Sequence, residues 1–427
     1  MTVSDIAVAP RWRMPGTMLD TMLRYGASAA GPVAVSAAHF LASLIFLHQL
    51  PAREFGLFSF VLVVVSFGMS LNAALICVPL ARNLALGDAA SEASCLQMNW
   101  LVCIAFGACL FAALLAGGTP LQEAALLALF AGIYTFRWFA RCFAFVDGRM
   151  GTAVQSDLIY SLVLIGSLGT LAALRDVSFA LGSEILLVSA LAALVPFGAS
   201  FFRKQIAALR GDPRRYLPVF RDVTRWSLIG VIFTELTVNA HAYLVTFISG
   251  PGAFALLALG MLLMRPASLM QSALTDLERP AMARAIGEND RTTLARIQRH
   301  FSFGLGAAWL GNILLCAALL GFFPALVVKQ SYSMENVILV AAACALIMAM
   351  RAARTPLAVL LQAAGHFKEL AGIGAASAIV SLLATLSLLF VAGPVASMAG
   401  IVLGEMVILV LCHAAVRAWK FAEANRD

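Results

Sequence analysis

The chain has 427 residues, of which 62% are hydrophobic and 12% charged, and its 29 Lys and Arg outnumber 22 Asp and Glu for a net charge of +7. Soluble domains are nearer about 45–50% apolar and about 25% charged, so such an excess cannot be hidden in one aqueous core. This excludes a soluble globular protein and makes lipid the expected solvent, because a bilayer core takes roughly 20 apolar residues per helix.

In chain order, apolar runs predict helical spans at about 27–48, 55–79, 99–117, 123–146, 158–174 and 178–202, then, after a polar interval, at 226–248, 253–275, 302–322, 337–362, 370–392 and 394–416. Asp5 and Asp20 stand among Arg11, Arg13 and Arg24 ahead of a full-length first run, which fits an uncleaved span better than a signal peptide. The outer turns at His48–Glu54, Ser249–Gly252 and Val391–Pro394 leave room only for tight helical hairpins.

Charge placement tests this count. With the N-terminus cytoplasmic, only Arg53, Arg175 and Lys329 of the 29 basic residues fall on the outer side. A missed or invented span would reverse every later loop and destroy that bias, so both termini are expected inside. The richest basic stretch runs from Arg203 to Arg225, and within it Tyr216–Trp226 alternates apolar and basic residues in a way that predicts a short helix on the inner leaflet. That charge stands where topology requires it, so nucleic acid is not an expected partner.

An internal repeat places the midpoint in the same stretch. Arg24-Tyr25 opens span 1 and Arg225-Trp226 opens span 7, an offset of 201 residues. Pro79-Leu80-Ala81-Arg82 closes span 2 as Arg279-Pro280-Ala281-Met282 closes span 8, and Arg137 and Arg141 in span 4 correspond to Arg351 and Arg354 in span 10. Six spans per half preserve orientation, giving a parallel repeat of the kind found in transporters. The expected architecture is all-α integral membrane: a lobe of residues 1–202, a basic cytoplasmic linker of 203–225 and a second six-helix lobe of 226–427.

Ionisable groups inside spans are costly and mark function by default. Arg137 and Arg141 are four apart and Arg351 and Arg354 three apart, so each pair shares a helix face. Arg137 lies roughly 21 Å from the outer end of its span at 1.5 Å per residue. Arg265 is near the centre of span 8, and the following Pro266 frees a backbone carbonyl and bends the helix. One reading pairs these arginines with acids such as Asp147, Asp157 or Asp276 at the inner interface. The other is a cationic cavity for an anionic substrate, guanidinium being suited to forked hydrogen bonds with phosphate and diphosphate.

In-span acids are few: Glu184, Glu235 and Glu405. Glu235 and Asn239, with His241 close by, form a candidate ion-coupling stretch in span 7. Asn72, Gln271 and Asn312 are expected to bond between helices. The eight cysteines lie mostly in apolar runs with no CxxC or zinc spacing, and read as small hydrophobes. Walker, HExxH and GxSxG motifs are absent, so neither an enzyme nor a cofactor or metal site is expected. No span offers a persuasive GxxxG dimer face.

The segment Leu50–Ser59, with Glu54-Phe55-Gly56, resembles the outer turn joining the first two spans of bacterial polysaccharide flippases (Wzx-like) of the MOP superfamily. Phe136–Arg149 is similar to that family's end of span 4, and Leu360–Phe367 to the equivalent point of the second half. The second half has Gly250-Pro251-Gly252-Ala253-Phe254 in place of the E-[YF]-G turn. The resemblance implies two six-helix lobes around a central cavity, in the bacterial inner membrane, carrying an undecaprenyl-diphosphate-linked glycan for exopolysaccharide or O-antigen synthesis by alternating access. It implies Arg24 and Arg265 as preferred ligands with Arg137 and Arg351 beside them, Arg141 and Arg354 as further candidates, and membrane lipids and a polysaccharide polymerase as partners. The alternatives are a multidrug or small-solute cation-coupled antiporter of the same superfamily, or a non-transporting scaffold of the polysaccharide pathway.

Overall fold

The computed structural model describes residues 18–80, 89–174, 177–326 and 332–424. Among them the chain forms helices joined by short connections and no strand. Lipid explains the restriction: it hydrogen-bonds no backbone group, so each span must satisfy its own N–H and C=O groups.

Nine helices among the described residues are long and apolar enough to cross a membrane. Two further crossings are bent, Ser227–Val238 with Ala240–Ser249 and Pro251–Leu263 with Arg265–Gly287. The long last helix, Phe367–Ala424, folds back at Gly393 and so makes two crossings. The nine, the two bent pairs and the extra crossing at Gly393 make twelve, in the order read from the sequence. The protein is a multi-pass membrane protein. Arg82, Arg175 and Lys329 lie outside the described residues, as do the side chains of Arg24, Trp226 and Asp276.

Two of the three tight turns share one device. Span 1 ends at Gln49 and span 2 starts at Ala52, just after Pro51. Spans 7 and 8 meet at Gly250-Pro251, and spans 11 and 12 at Gly393-Pro394. Gly250 has φ 87° and Gly393 φ 86°, a region glycine alone enters without strain. Proline follows at the first helical position, where its missing N–H costs nothing.

Packing separates the described chain into two units. The first contains the residues up to His39 and Val65–Ile229; the second contains Phe40–Val64 and the residues from Gly230 onward. The first is cored by Phe136, Phe139, Phe143, Phe197 and Phe201. Within it a π-helical turn, Ala73–Cys77, follows Asn72, whose amide donates to Asn99 Oδ1 on span 3 at 2.7 Å. The second is cored by Met282, Phe301, Leu305, Leu360, Leu361 and Cys412.

The basic segment before span 7 differs from expectation. Tyr216–Val219, a π-helical Phe220–Thr224 and Arg225–Val238 form one helical run into span 7 rather than a separate surface helix. Tyr216 is buried and donates to Leu75 O at 2.5 Å, which ties the segment to the end of span 2 within the first unit. A phenol with a carbonyl to bond outweighs the alternating pattern that suggested the leaflet.

Small residues set the closest approaches in the second unit. A Cβ on Gly400 would stand 2.4 Å from Thr385 Oγ1, and one on Gly404 2.6 Å from Ser381 Cβ. Gly400 and Gly404 are thus a GxxxG pair, used inside the fold to seat span 12 on span 11, where Ser377 donates to Gly404 O at 2.8 Å. Gly56 meets the outer turn of spans 7 and 8: a Cβ there would lie 1.8 Å from Pro251 O. Gly56→Ala must push that carbonyl away and is expected to cost about 1–3 kcal/mol. Thermal unfolding in detergent should show a lower Tm for Gly56→Ala and none for Gly166→Ala, whose surroundings are open; equal Tm values in both would refute this contact.

Candidate functional site

In the first unit, span 4 (Leu121–Val146) presents Arg137 and Arg141 one turn apart towards span 5 (Met150–Leu174). Asp157 accepts from Arg137 Nη1 at 2.9 Å and from Arg141 Nε at 2.8 Å. Arg137 also reaches Ser156 Oγ at 3.3 Å, and Ser156 in turn donates to Ala193 O at 2.7 Å. The rings of Tyr134 and Tyr160 each lie 4.7 Å from the Arg137 guanidinium carbon, a cation–π sandwich. His39 meets the Tyr160 hydroxyl at 2.7 Å. Gly31 leaves room for the carboxylate, since a Cβ there would stand 2.4 Å from Asp157 Oδ2.

Arg137 is only 2% exposed. It is an enclosed ion pair and does not line an open cavity. Arg141 is likewise held by Asp157 and lies over the rings of Trp138 and Phe145. In this structure both are thus engaged by Asp157. Of the three acids proposed as partners, Asp157 meets both arginines and Asp147 pairs with Arg149, while the side chain of Asp276 is outside the described residues.

The second unit repeats the theme with a different partner. Arg351 and Arg354 on span 10 (Met334–Ala363) converge on Glu405 of span 12, which is fully buried. Arg351 Nε donates to Glu405 Oε1 at 2.6 Å, and Arg354 donates from Nε to Oε2 and from Nη2 to Oε1. The arginine pair recurs between halves, while the acid comes from the next span in one and from two spans on in the other. Each cluster sets two cations against one anion and keeps one net positive charge. Arg351 and Arg354 remain about one-fifth exposed, unlike Arg137.

Both spans of the hairpin around Gly250 are broken in the second unit. Span 7 bends by 59° at Asn239 and span 8 by 54° at Met264. The breaks lie 11 and 14 residues below the turn, roughly 16 and 21 Å deep, close to mid-bilayer. At the span 8 break Asn312 donates to Leu263 O at 3.2 Å and Cys316 to the same carbonyl at 3.4 Å. Arg265 begins the inner leg there, half-buried, with Pro266 next, as the sequence led one to expect. The side chain of Arg24 is outside the described residues.

At the span 7 break Glu235 accepts from Tyr243 Oη at 2.6 Å and from Asn239 Nδ2 at 3.2 Å. Residues 235, 239 and 243 are successive helical neighbours, so Tyr243 was readable from the spacing. His241 does not join them; it is buried against Met261 Sδ at 3.4 Å. Among the described residues no three His, Cys, Asp or Glu side chains group as a metal site.

A cavity of about 400 Å³ lies in the second unit between the inner leg of span 8 and span 10. Gln271, Ser272, Thr275 and Arg279 line it from span 8, and Arg354, Thr355 and Gln362 from span 10. Gln271 Nε2 donates to Thr355 Oγ1 at 3.0 Å, bonding the two helices as expected. No carboxylate lines the cavity among the described residues. Sequence reasoning missed Arg279, Ser272, Thr275 and Gln362, because only tertiary packing brings them opposite Arg354.

No family model and no curated protein matches the sequence. Solved structures do match it. An inward-facing multidrug-resistance MATE transporter of the MOP superfamily aligns at 14% identity over 96% of this chain and 97% of that one, with TM-score 0.58. Its outward-facing counterpart aligns at 14% identity over 93% and 94%, with TM-score 0.57. A MOP-superfamily transporter from Pyrococcus furiosus aligns at 14% identity over 92% and 94%, with TM-score 0.58. The chain shares the fold of these structures. At such identity the likeness is one of fold, and the chemistry must come from this chain's own residues.

Removing Asp157 leaves two guanidiniums facing each other in a site closed to water. Asp157→Ala is expected to destabilise by about 3–5 kcal/mol, and joint replacement of Arg137 and Asp157 by Leu should recover much of the loss. Thermal unfolding of the single and double variants measures this; a double variant no better than the single would contradict the pairing.

Proposed function

We propose that the chain is an alternating-access flippase for polyprenyl-diphosphate-linked oligosaccharide, moving repeat units from the inner to the outer leaflet for exopolysaccharide or O-antigen synthesis. The observation that carries the reading is the shared carboxylate in each unit. Two arginines meet one acid in both Arg137–Arg141–Asp157 and Arg351–Arg354–Glu405, so both units keep surplus positive charge within the membrane. A low-dielectric interior holding such a surplus favours an anionic cargo and disfavours a cationic one.

The fold supports transport, since structures sharing it are inward- and outward-facing transporters. The Pyrococcus furiosus structure is described as having a binding pocket of reversed polarity that suggests a different function, a precedent for pocket charge separating functions on this fold. In this reading Arg24, Arg265, Arg351 and Arg354 bind the diphosphate, the sugars occupy the aqueous path and the lipid tail stays in the bilayer.

A second reading, a cation-coupled multidrug or small-solute antiporter, is favoured by Glu235. It is an in-span carboxylate with no ion pair among the described residues, at a helix break beside Tyr243 and Asn239. Proteoliposomes separate the two. With labelled polyprenyl-diphosphate-linked glycan inside one leaflet, the wild type should move it, and Arg265→Ala should lose nearly all transport at normal protein yield. Rapid movement of a lipophilic cation driven by a proton or sodium gradient, with no movement of the glycan, would select the antiporter.

A further inference from the structure

The cavity between spans 8 and 10 is contained within the second unit and shares Arg354 with the diphosphate site proposed above. We propose that it is a binding site for a phosphate-bearing, hydroxyl-rich headgroup, with Arg279 and Arg354 holding the anion and Gln271 and Gln362 facing its hydroxyls. The inference rests on the anionic-cargo reading above and adds to it a named subsite on one unit.

Charge comes first. Arg354 and Arg351 share the single carboxylate of Glu405, so the wall behind the cavity carries a net positive charge. Glu405 takes the Nε–H of Arg354 and one Nη2 donor, which leaves other N–H groups of the five on a guanidinium. Those bonds also fix the plane of Arg354. Arg279, exposed on the facing helix, lines the same cavity and forms no ion pair with any described side chain. Two guanidiniums on opposite walls, with no acid described between them, match a group with several anionic oxygens.

Neutral polarity comes second. Thr355 Oγ1 donates to Arg351 O at 2.7 Å, so it must accept from Gln271 Nε2. That sets the amide's orientation and leaves Gln271 Oε1 buried without a donor. A buried acceptor of this kind is an exception that calls for a partner, and a hydroxyl supplies one. Ser272, Thr275 and Gln362 add donors and acceptors, so the lining suits a polyol or sugar phosphate better than a bare ion. The volume, about 400 Å³, is within the roughly 300–1,000 Å³ of small-molecule sites.

Position comes third. Below the cavity span 8 runs into Arg284, and span 9 begins with Arg291, Arg296 and Arg299. By the positive-inside rule this is the cytoplasmic side, where phosphate-bearing precursors are made and from which a lipid headgroup would enter.

The test is calorimetric titration of the full-length protein in maltoside detergent with inorganic diphosphate, and separately with a short-chain prenyl diphosphate. Wild type should bind diphosphate saturably, and Arg279→Gln should weaken it by about tenfold or more, the loss of one charge-assisted bidentate contact. Arg279 is exposed, so an unchanged Tm checks that the variant is folded. Mutual displacement of the two probes identifies the lipid headgroup as the source of the anion; diphosphate binding that prenyl diphosphate does not displace identifies a soluble phosphate compound. Equal affinity in Arg279→Gln, or no saturable binding to wild type, overturns the site. The wider reading fails separately: diphosphate binding lost in Arg279→Gln while wild-type proteoliposomes move no glycan keeps the site and removes the flippase.

Discussion

One buried carboxylate serving two arginines is the interaction on which each unit depends. Neither Asp157 nor Glu405 has water to shield it, and no single arginine within reach could be left unpaired at that depth without a penalty of several kcal/mol. The pairing therefore dictates which helices are neighbours: span 4 against span 5 in the first unit, span 10 against span 12 in the second. Two to one also leaves each cluster a positive remainder. In the first unit that remainder is sealed beneath Tyr134 and Tyr160, while in the second Arg354 still lines a cavity. The same arginine pair is thus enclosed in one unit and borders a cavity in the other.

The helix breaks obey the same constraint. A bend at mid-membrane exposes backbone groups that lipid cannot satisfy, so each break needs its own polar partner. Asn312 and Cys316 answer Leu263 O at the span 8 break, and at the span 7 break the backbone keeps bonds of its own, Asn239 N–H to Glu235 O at 2.8 Å and Ala242 N–H to Asn239 O at 2.9 Å. What results is a hairpin with a carboxylate, a phenol and an arginine carried at similar depth. Only discontinuous helices present such groups together with loosened backbone near the midplane.

Much of this was legible in the sequence, and the reason is the solvent. Lipid makes the apolar run a direct record of each span, so twelve crossings and their order followed from composition. Local spacing also predicted the shared faces of Arg137 with Arg141 and of Arg351 with Arg354. Pro266 announced the span 8 bend. The span 7 bend had no such mark, since neither Pro nor Gly stands at Asn239. The acids were harder: Asp157 was one of three candidates, and Glu405 is 51 residues from Arg354, a distance no helical period relates. For the same reason the cavity opposite Arg354 was invisible, and spacing could not choose between an ion pair and a cavity wall for Arg137, which tyrosines three residues on either side of the ion pair enclose. Tyr216 misled in the opposite way, its amphipathic context suggesting a lipid surface where a carbonyl of Leu75 waited.

The central claim is the proposed one, that the interior of this fold selects for negative charge. Native mass spectrometry of the protein released directly from its own membrane reads that charge. The account predicts a retained anionic diphosphate lipid, which is stripped by raising ionic strength and absent from an Arg265→Ala, Arg351→Gln double variant. Retention of lipophilic cations instead, unaffected by those substitutions, would contradict it.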